Sequence, residues 1–298
     1  MHHGNVNADT ASGLIELRSR ITRQGIEKST KDKTLNIATW NIREFGRKQR
    51  RKQSIHLIAE IMNCFDIIAI TELRDKLGDL ERVMDILGPY WKVVFSDFNT
   101  DRRGNRERIG YLYDTRVAEF TGLAAEPEPP RKRDRETGES IPSVTWWRSP
   151  YMASFRSGSF DFILLTAHIR WDSTGGETSR TRELKLLADW IDKRRKQDGV
   201  VDKDIIVLGD FNIPELDNQT FEALTSKGLK IPEALTHVVG TNLAKNKRYD
   251  QILHYPYYTK CSTGSAESNA HSRTSCQTIY RSGSRSTSTP MTNFWISV

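Results

Sequence analysis

The sequence predicts a mixed α/β fold: a core of two sheet layers covered by helices. Three observations carry this reading. Short apolar runs of strand length alternate along the 298 residues with amphipathic segments of helical period. Several neighbouring runs look like antiparallel pairs. The apolar runs also end on polar residues suited to chemistry (Asn41, Glu72, His168 and Asp210), and Asp250 interrupts the last of them.

Taken in order, residues 1–33 are polar and read as a loose or weakly helical arm. Leu35–Trp40 is a strand ending at Asn41. Lys52–Asn63 carries Ile55, Ile58, Ala59 and Met62 on one helical face. Phe65–Ile70 is a buried strand running into Thr71 and Glu72. Leu77–Leu87 is a second amphipathic helix, stopped by Gly88 and Pro89. Trp91–Phe95 and Ile109–Tyr113 read as strands flanking a basic loop over 97–108.

Residues 124–143, rich in Pro, Glu and Arg, read as a long exposed loop. Ser149–Phe155 and Phe160–Thr166 form a strand pair turning at Ser157-Gly158-Ser159, and the second strand leads into His168. Arg180–Arg195 is a helix with Leu184, Leu187, Ala188 and Ile191 on one face. A strand ends at Asp210, a helix follows over Thr220–Leu224, and a last strand spans Arg248–His254.

No apolar stretch approaches the roughly 20 residues needed to span a bilayer, and no hydrophobic signal region opens the chain. Cys64, Cys261 and Cys276 make no metal pattern, and Cys64 sits in an apolar run as a core thiol. A cytoplasmic protein is therefore the expectation. Net charge is +7 with a sequence pI of about 9.3. Basic residues concentrate over 43–52, 101–108, 131–135 and 193–196. A polyanionic partner bound by phosphate neutralisation explains this, and so do ordinary solvated loops and helix faces.

The most informative segment is Leu208-Gly209-Asp210-Phe211-Asn212. Five apolar residues (205–209) end abruptly in a carboxylate, an aromatic and a carboxamide. This reads as a buried strand presenting Asp210 and Asn212 on the same side of a sheet edge. The same spacing also makes an ordinary turn or helix cap. The other polar strand ends give the catalytic reading its weight. Cleaving a phosphodiester with water needs a hard cation held by one or two carboxylates, a role suited to Glu72. It needs a group to orient or deprotonate the water, open to Asp210. A histidine beside the phosphate can donate a hydrogen bond or a proton, and His168 is the only histidine closing a strongly apolar strand.

Six segments then recur in order: Ala38-Thr39-Trp40-Asn41-Ile42-Arg43-Glu44-Phe45-Gly46, Thr71-Glu72-Leu73-Arg74-Asp75, Glu107-Arg108-Ile109-Gly110-Tyr111-Leu112-Tyr113, Thr166-Ala167-His168, Leu208–Asn212 and Tyr249-Asp250-Gln251-Ile252. Together they resemble the endonuclease/exonuclease/phosphatase superfamily over residues 34–255, and within it the deoxyribonuclease I-like branch. The resemblance implies a four-layer α/β/β/α sandwich with its site at one rim of the paired sheets. It implies that Glu72 binds Mg²⁺ (or Mn²⁺) with Asn41 beside it, and that Glu107 pairs with His168 and orients it. Asp210 and Asn212 would position the water and phosphate oxygens, and Asp250 would orient a second histidine. Arg43 and Arg74 would contact DNA, so the implied activity is a largely nonspecific Mg²⁺-dependent DNA endonuclease without a membrane partner. The same scaffold serves phosphatases and phosphodiesterases of small or lipid phosphoesters, which is the alternative, as is a catalytically impaired nucleic-acid-binding relative.

One expected feature is missing. The resemblance calls for a Ser-Asp-His segment near the end of the domain, and the sequence has none. Residues 262–298 hold 10 Ser and 6 Thr among 37 residues, with no Leu, Lys or Asp. They read as an aberrant segment after a domain spanning 34–261, from a shifted frame, a truncated gene or a divergent tail. The last core strand should then be lost or degenerate, leaving a sheet edge open. His254 and His271 are the remaining candidates for the second histidine.

Overall fold

A computed structural model of the chain describes residues 1–26, 28–29, 34–98, 106–142, 145–171, 176–237, 240–242, 244–255, 273–279 and 296–297. Two sheets stack face to face. The first, six-stranded, has the order β13-β12-β1-β2-β4-β3, built from β1 (Thr34–Phe45), β2 (Ile67–Leu73), β3 (Trp91–Phe95), β4 (Arg108–Asp114), β12 (Arg273–Ile279) and β13 (Ile296–Ser297). The second, five-stranded, has the order β11-β10-β9-β8-β5, built from β5 (Glu119–Ala125), β8 (Tyr151–Ser157), β9 (Phe160–His168), β10 (Ile205–Asp210) and β11 (Asp250–His254). Helices α1 (Ala8–Gln24), α2 (Lys52–Met62) and α3 (Gly78–Leu87) cover the outer face of the first sheet. Helices α4 (Gly176–Lys196) and α5 (Gln219–Thr225) cover the second, and the single turn α6 (Glu233–Thr236) follows. The predicted four-layer α/β/β/α sandwich is the observed architecture.

Side-chain parity builds the layers. In β1, Leu35 and Ile37 enter the core between the sheets, while Ala38, Trp40 and Ile42 pack under the helices with Leu14, Ile58 and Val83. In β10, Ile206 and Leu208 face the other sheet, and Ile205 and Val207 meet Leu184, Leu187 and Ile191 of α4. Strands buried on both faces need such unbroken apolar runs, so periodicity alone locates them but does not say which face meets which layer. Tyr111 ties the layers together from inside: its hydroxyl donates to Tyr151 O at 2.8 Å and lies 3.2 Å from Leu164 O.

Three expectations are corrected. The N-terminal arm is a 17-residue helix, capped by Asn7, whose side chain accepts from Thr10 N at 3.0 Å. Leu14 and Leu17 are buried against the first helical layer with Ile21 beside them, the i, i+3, i+7 stripe of a docked helix. Residues 124–143 are not a bare loop. They contain the end of edge strand β5 and a small hairpin of β6 (Arg131–Arg133) and β7 (Ser140–Pro142). β5 escapes sequence reading because only Phe120, Leu123 and Ala125 are even half-buried, without a regular alternation.

The third correction concerns the Ser/Thr-rich segment, which does supply a strand. β12 pairs in parallel with β1 from Thr34↔Arg273 to Thr39↔Thr278, and β13 pairs with β12 in turn. The sheet edge expected to be open, which β1 would form, is covered by a strand as atypical in composition as the sequence suggests. Most of 256–298, including Cys261 and His271, lies outside the described residues, as do 99–105 of the basic loop. Among the described residues no helix is long and apolar enough to cross a membrane.

Candidate active site

Strand parity also assembles the site. Ile109 and Tyr111 of β4, Phe162 and Leu164 of β9, Ile206 and Leu208 of β10, and Ile252 of β11 face between the sheets. Continuing the period of two along each strand puts Glu107, His168, Asp210 and Asp250 on that same face, and β1 adds Asn41 from Leu35 and Ile37. All five lie at one rim, where the apolar filling stops.

Glu72 does not follow from parity. By alternation with Ile68 and Ile70 it would point under the helices. Instead the ladder between β1 and β2 shifts register between Asn41 and Phe45, and Glu72 sits at φ +60°. An irregularity of this kind re-aims a side chain, and a positive φ in a non-glycine costs strain that the surrounding structure must hold. The Glu72 carboxylate is fixed at both ends: Asn41 Nδ2 donates to Oε1 at 3.0 Å and the Glu44 amide to Oε2 at 2.8 Å.

Asn41 is the bridge. Its Nδ2 also donates to Asp210 Oδ2 at 2.9 Å, which fixes the orientation of the amide because both neighbours are acceptors. Asn41 Oδ1 is consequently buried and receives no hydrogen bond among the described residues. Asp210 holds its other oxygen, Oδ1, on the Asn212 amide at 3.1 Å. The turn-forming and site-forming readings of Asp-x-Asn are thus both true of one carboxylate. Asn212, at φ +51°, donates from Nδ2 to Ile169 O at 2.7 Å, and its own carbonyl accepts from Arg180 at 2.9 Å. Gly209 allows β10 to approach β9 here, since a Cβ at that position would lie 2.2 Å from Ala167 O.

His168 Nε2 stands 3.9 Å from Asp210 Oδ2, and its Nδ1 is 2.9 Å from Glu107 Oε2. Glu107 in turn meets Arg148 (Nε–Oε2 3.2 Å) and Arg74 (Nη1–Oε1 3.6 Å). Burial alone would raise the Glu107 carboxyl. The hydrogen bond to His168 and the charges of His168, Arg148 and Arg74 overcome it and hold the group down at about 2. Asp250 is opposite Asp210 in the ladder and moves the other way. Burial, then the charge of Asp210, push its carboxyl well above the usual range, partly offset by Thr241. A pocket lined by Glu72, Ser96, Glu107, Arg148, Ser149 and His168 among others opens onto this row.

The two arginines expected at DNA differ. Arg43 is exposed, whereas Arg74 is 5% exposed and its guanidinium pairs with Glu44 at 3.3 Å as well as Glu107. Its observed task is holding the carboxylate behind His168. Arg148 was not foreseen. Its sequence signal is the pairing register of β8 with β9, which sets Tyr151 beside Thr166 and so brings the preceding Trp-Trp-Arg to the histidine. His254 lies at the far end of β11, opposite Ile206, and does not reach Asp250's end of the strand.

Among the described residues no cluster of three or more His, Cys, Asp and Glu side chains is arranged to hold a metal ion. The donors available are carboxylates joined by a carboxamide with an orphan buried oxygen. That all-oxygen set fits a hard divalent cation that keeps most of its waters.

The profile of the Endonuclease/Exonuclease/phosphatase family matches residues 38–294. No curated protein sequence matches. Among solved structures, a mannosyl-6-phosphatase from Bacteroides thetaiotaomicron VPI-5482 is 18% identical, with a TM-score of 0.51 over 74% of this chain and 85% of that one. An endonuclease/exonuclease/phosphatase family protein from Bacteroides thetaiotaomicron is 17% identical, with a TM-score of 0.52 over 84% and 89%. A conserved protein from Enterococcus faecalis V583 is 15% identical, with a TM-score of 0.52 over 74% and 86%. At these identities the structures share the fold.

Proposed function

The chain belongs to the Endonuclease/Exonuclease/phosphatase family of phosphoester hydrolases, and from that premise we propose that it is a divalent-metal-dependent phosphodiesterase acting on DNA as a largely nonspecific endonuclease. One observation carries the reading: an unbroken row of contacts from Arg148 through Glu107, His168, Asp210 and Asn41 to Glu72 along one rim. It joins a histidine–carboxylate pair to an all-oxygen set of donors at the same rim.

Glu72 and Asn41 Oδ1 would hold Mg²⁺ (or Mn²⁺), which when bound draws charge from the phosphate oxygens. Glu107 Oε2, 2.9 Å from His168 Nδ1, would accept its proton in a hydrogen bond and leave Nε2 to face the phosphate and donate to it. Asp210 Oδ2 accepts a proton from, or orients, the attacking water. Its other oxygen is pinned by Asn212, so the free lone pairs have a fixed direction. Burial and the neighbouring charge favour the neutral form of Asp250, which spares Asp210 a second anion beside it. Exposed Arg43 and the net charge of +7 favour a polyanion over a neutral substrate.

The test is nicking of supercoiled plasmid in Mg²⁺, with and without EDTA, against His168→Ala. EDTA-sensitive nicking lost in the variant is expected. Release of inorganic phosphate from small phosphomonoesters without any nicking would replace this reading with the phosphatase one. The absence of a Ser-Asp-His segment favours a second reading, a nucleic-acid-binding relative of low turnover. Salt-sensitive DNA binding without nicking would support it.

A further inference from the structure

Two exposed tryptophans, close in sequence to site residues, are not used by the hydrolytic chemistry. Trp147 and Trp171 are 51% and 50% exposed, although indoles are costly to leave in water. Neither is remote. Trp147 precedes Arg148, which holds Glu107, and its amide is anchored on Glu183 Oε1 at 2.8 Å. Trp171 follows His168 by three residues and meets the Tyr249 ring edge-on at 5.6 Å, next to Asp250. Each indole carries a guanidinium on one face: Arg170 lies 3.9 Å from the Trp147 ring centre and Arg180 lies 4.2 Å from that of Trp171. Arg180 is held there by the Asn212 carbonyl.

We propose that Trp147 and Trp171, each backed by its arginine, form a stacking platform for unpaired nucleobases, so that the strand entering this site is single-stranded. This deepens the phosphodiesterase reading above and rests on it. A guanidinium fixed on one face stiffens the indole and adds positive charge, leaving the remaining exposed surface to a second π system. A base whose phosphate lies at His168 satisfies both demands, because its ring stacks while its backbone charge meets the half-buried Arg170. Bases inside a duplex are stacked on one another and offer no free face. The platform therefore selects a single strand or a frayed end.

The experiment is fluorescence anisotropy in EDTA with short labelled oligo(dT), oligo(U) and a duplex of equal length, at fixed salt. Single strands are expected to bind at least about tenfold tighter than duplex, and the two oligonucleotides separate a DNA from an RNA preference. Trp147→Ala and Trp171→Ala should each weaken single-strand binding about fivefold or more, with Trp→Phe at either position retaining most of it. Equal affinity for strand and duplex would overturn the platform. So would unaltered binding by alanine variants whose circular dichroism matches the parent, or displacement of the oligonucleotide by phosphatidylserine vesicles. Because binding is read without metal, a chain that binds through the tryptophans yet in Mg²⁺ cleaves neither plasmid nor the single-stranded oligonucleotides overturns the nuclease reading alone. A chain that nicks plasmid and binds strand and duplex alike overturns this proposal alone.

Discussion

His168 and Glu107 come from different sheets, yet Nδ1 of one stands 2.9 Å from Oε2 of the other. The pair is buried, and Arg148 and Arg74 surround its carboxylate. Glu107→Gln keeps the shape and removes the charge that both arginines and His168 are arranged around. Breaking a buried pair from one side costs about 3 kcal/mol, so the variant should unfold at lower urea. The sign with pH follows from a depressed carboxyl. The stabilisation is present above the unfolded pKa, near 4.5, and is lost as pH falls toward about 2. Urea midpoints compared across pH 5 to 2.5 should converge for parent and variant at the acid end.

His168→Ala should lower kcat for phosphodiester cleavage by about 10²- to 10⁴-fold, the range for a positioned proton donor. Glu107→Gln should fall less and shift the pH profile, because the imidazole remains and loses only its orienting partner. Equal losses in the two variants with unchanged profiles would contradict that division of labour.

Glu72 and Asn41 predict a separable effect on metal dependence. Glu72→Gln removes the anionic oxygen and Asn41→Ala removes the orphan buried oxygen together with the bridge to Asp210. Both should raise the Mg²⁺ concentration needed for half-maximal rate, by about tenfold or more, in line with losses at metal-site partners. Calorimetric titration of Mg²⁺ into the proteins checks the same point without substrate.

How much of this was legible in the sequence follows from where the period of two holds. Leu35 and Ile37, Phe162 and Leu164, Ile206 and Leu208 set the parity that carries Asn41, His168 and Asp210 to one rim. Those residues could be named before any coordinates existed. Glu72 could be named as a polar strand end suited to a cation, but its direction could not be read, since it depends on a register shift and a positive φ that no local pattern encodes. Arg148 and the burial of Arg74 depend on which loops meet across the sandwich. Helix α1 is hard to read from the sequence because its stripe of Leu14, Leu17 and Ile21 is narrow within a polar segment.

Glu183 makes a prediction at neutral pH. It is 8% exposed, and burial pushes its carboxyl up to about 7 despite the Trp147 amide and the nearby charges of Arg148, His168 and Arg170. A raised carboxyl favours the folded state while protonated. Its contribution is complete below the unfolded pKa, near 4.5, and is lost as pH rises through about 7. Glu183→Gln should therefore flatten the fall in melting temperature between pH 5 and 7.5, read by differential scanning calorimetry.

The docking of α1 can be measured separately from the site. Leu17 is 3% exposed against the first helical layer, and Arg18 pairs with Glu60 of α2 through Nε at 2.7 Å and Nη2 at 3.0 Å. Leu17→Ala should cost about 2–4 kcal/mol by urea unfolding, the range for a truncated buried leucine. Arg18→Ala, half-exposed, should cost about 1 kcal/mol or less. Neither should change the Mg²⁺ requirement of cleavage.

The strand β12 yields the last prediction, because it decides whether the aberrant segment is structural. Its parallel ladder covers β1 along Thr34–Thr39, and β1 leads directly to Asn41. A chain ended after Tyr255 would present the unpaired backbone of a long, apolar strand at a sheet edge, which invites pairing with another copy. Such a chain should lose thermal stability and elute as dimers or larger species on size exclusion. Binding of Mg²⁺ should weaken with it, since Asn41 lies two residues beyond the uncovered stretch of the same strand. A truncated chain that stays monomeric at the parent's melting temperature would show that β1 is held from its other side, by β2 and the helical layer alone.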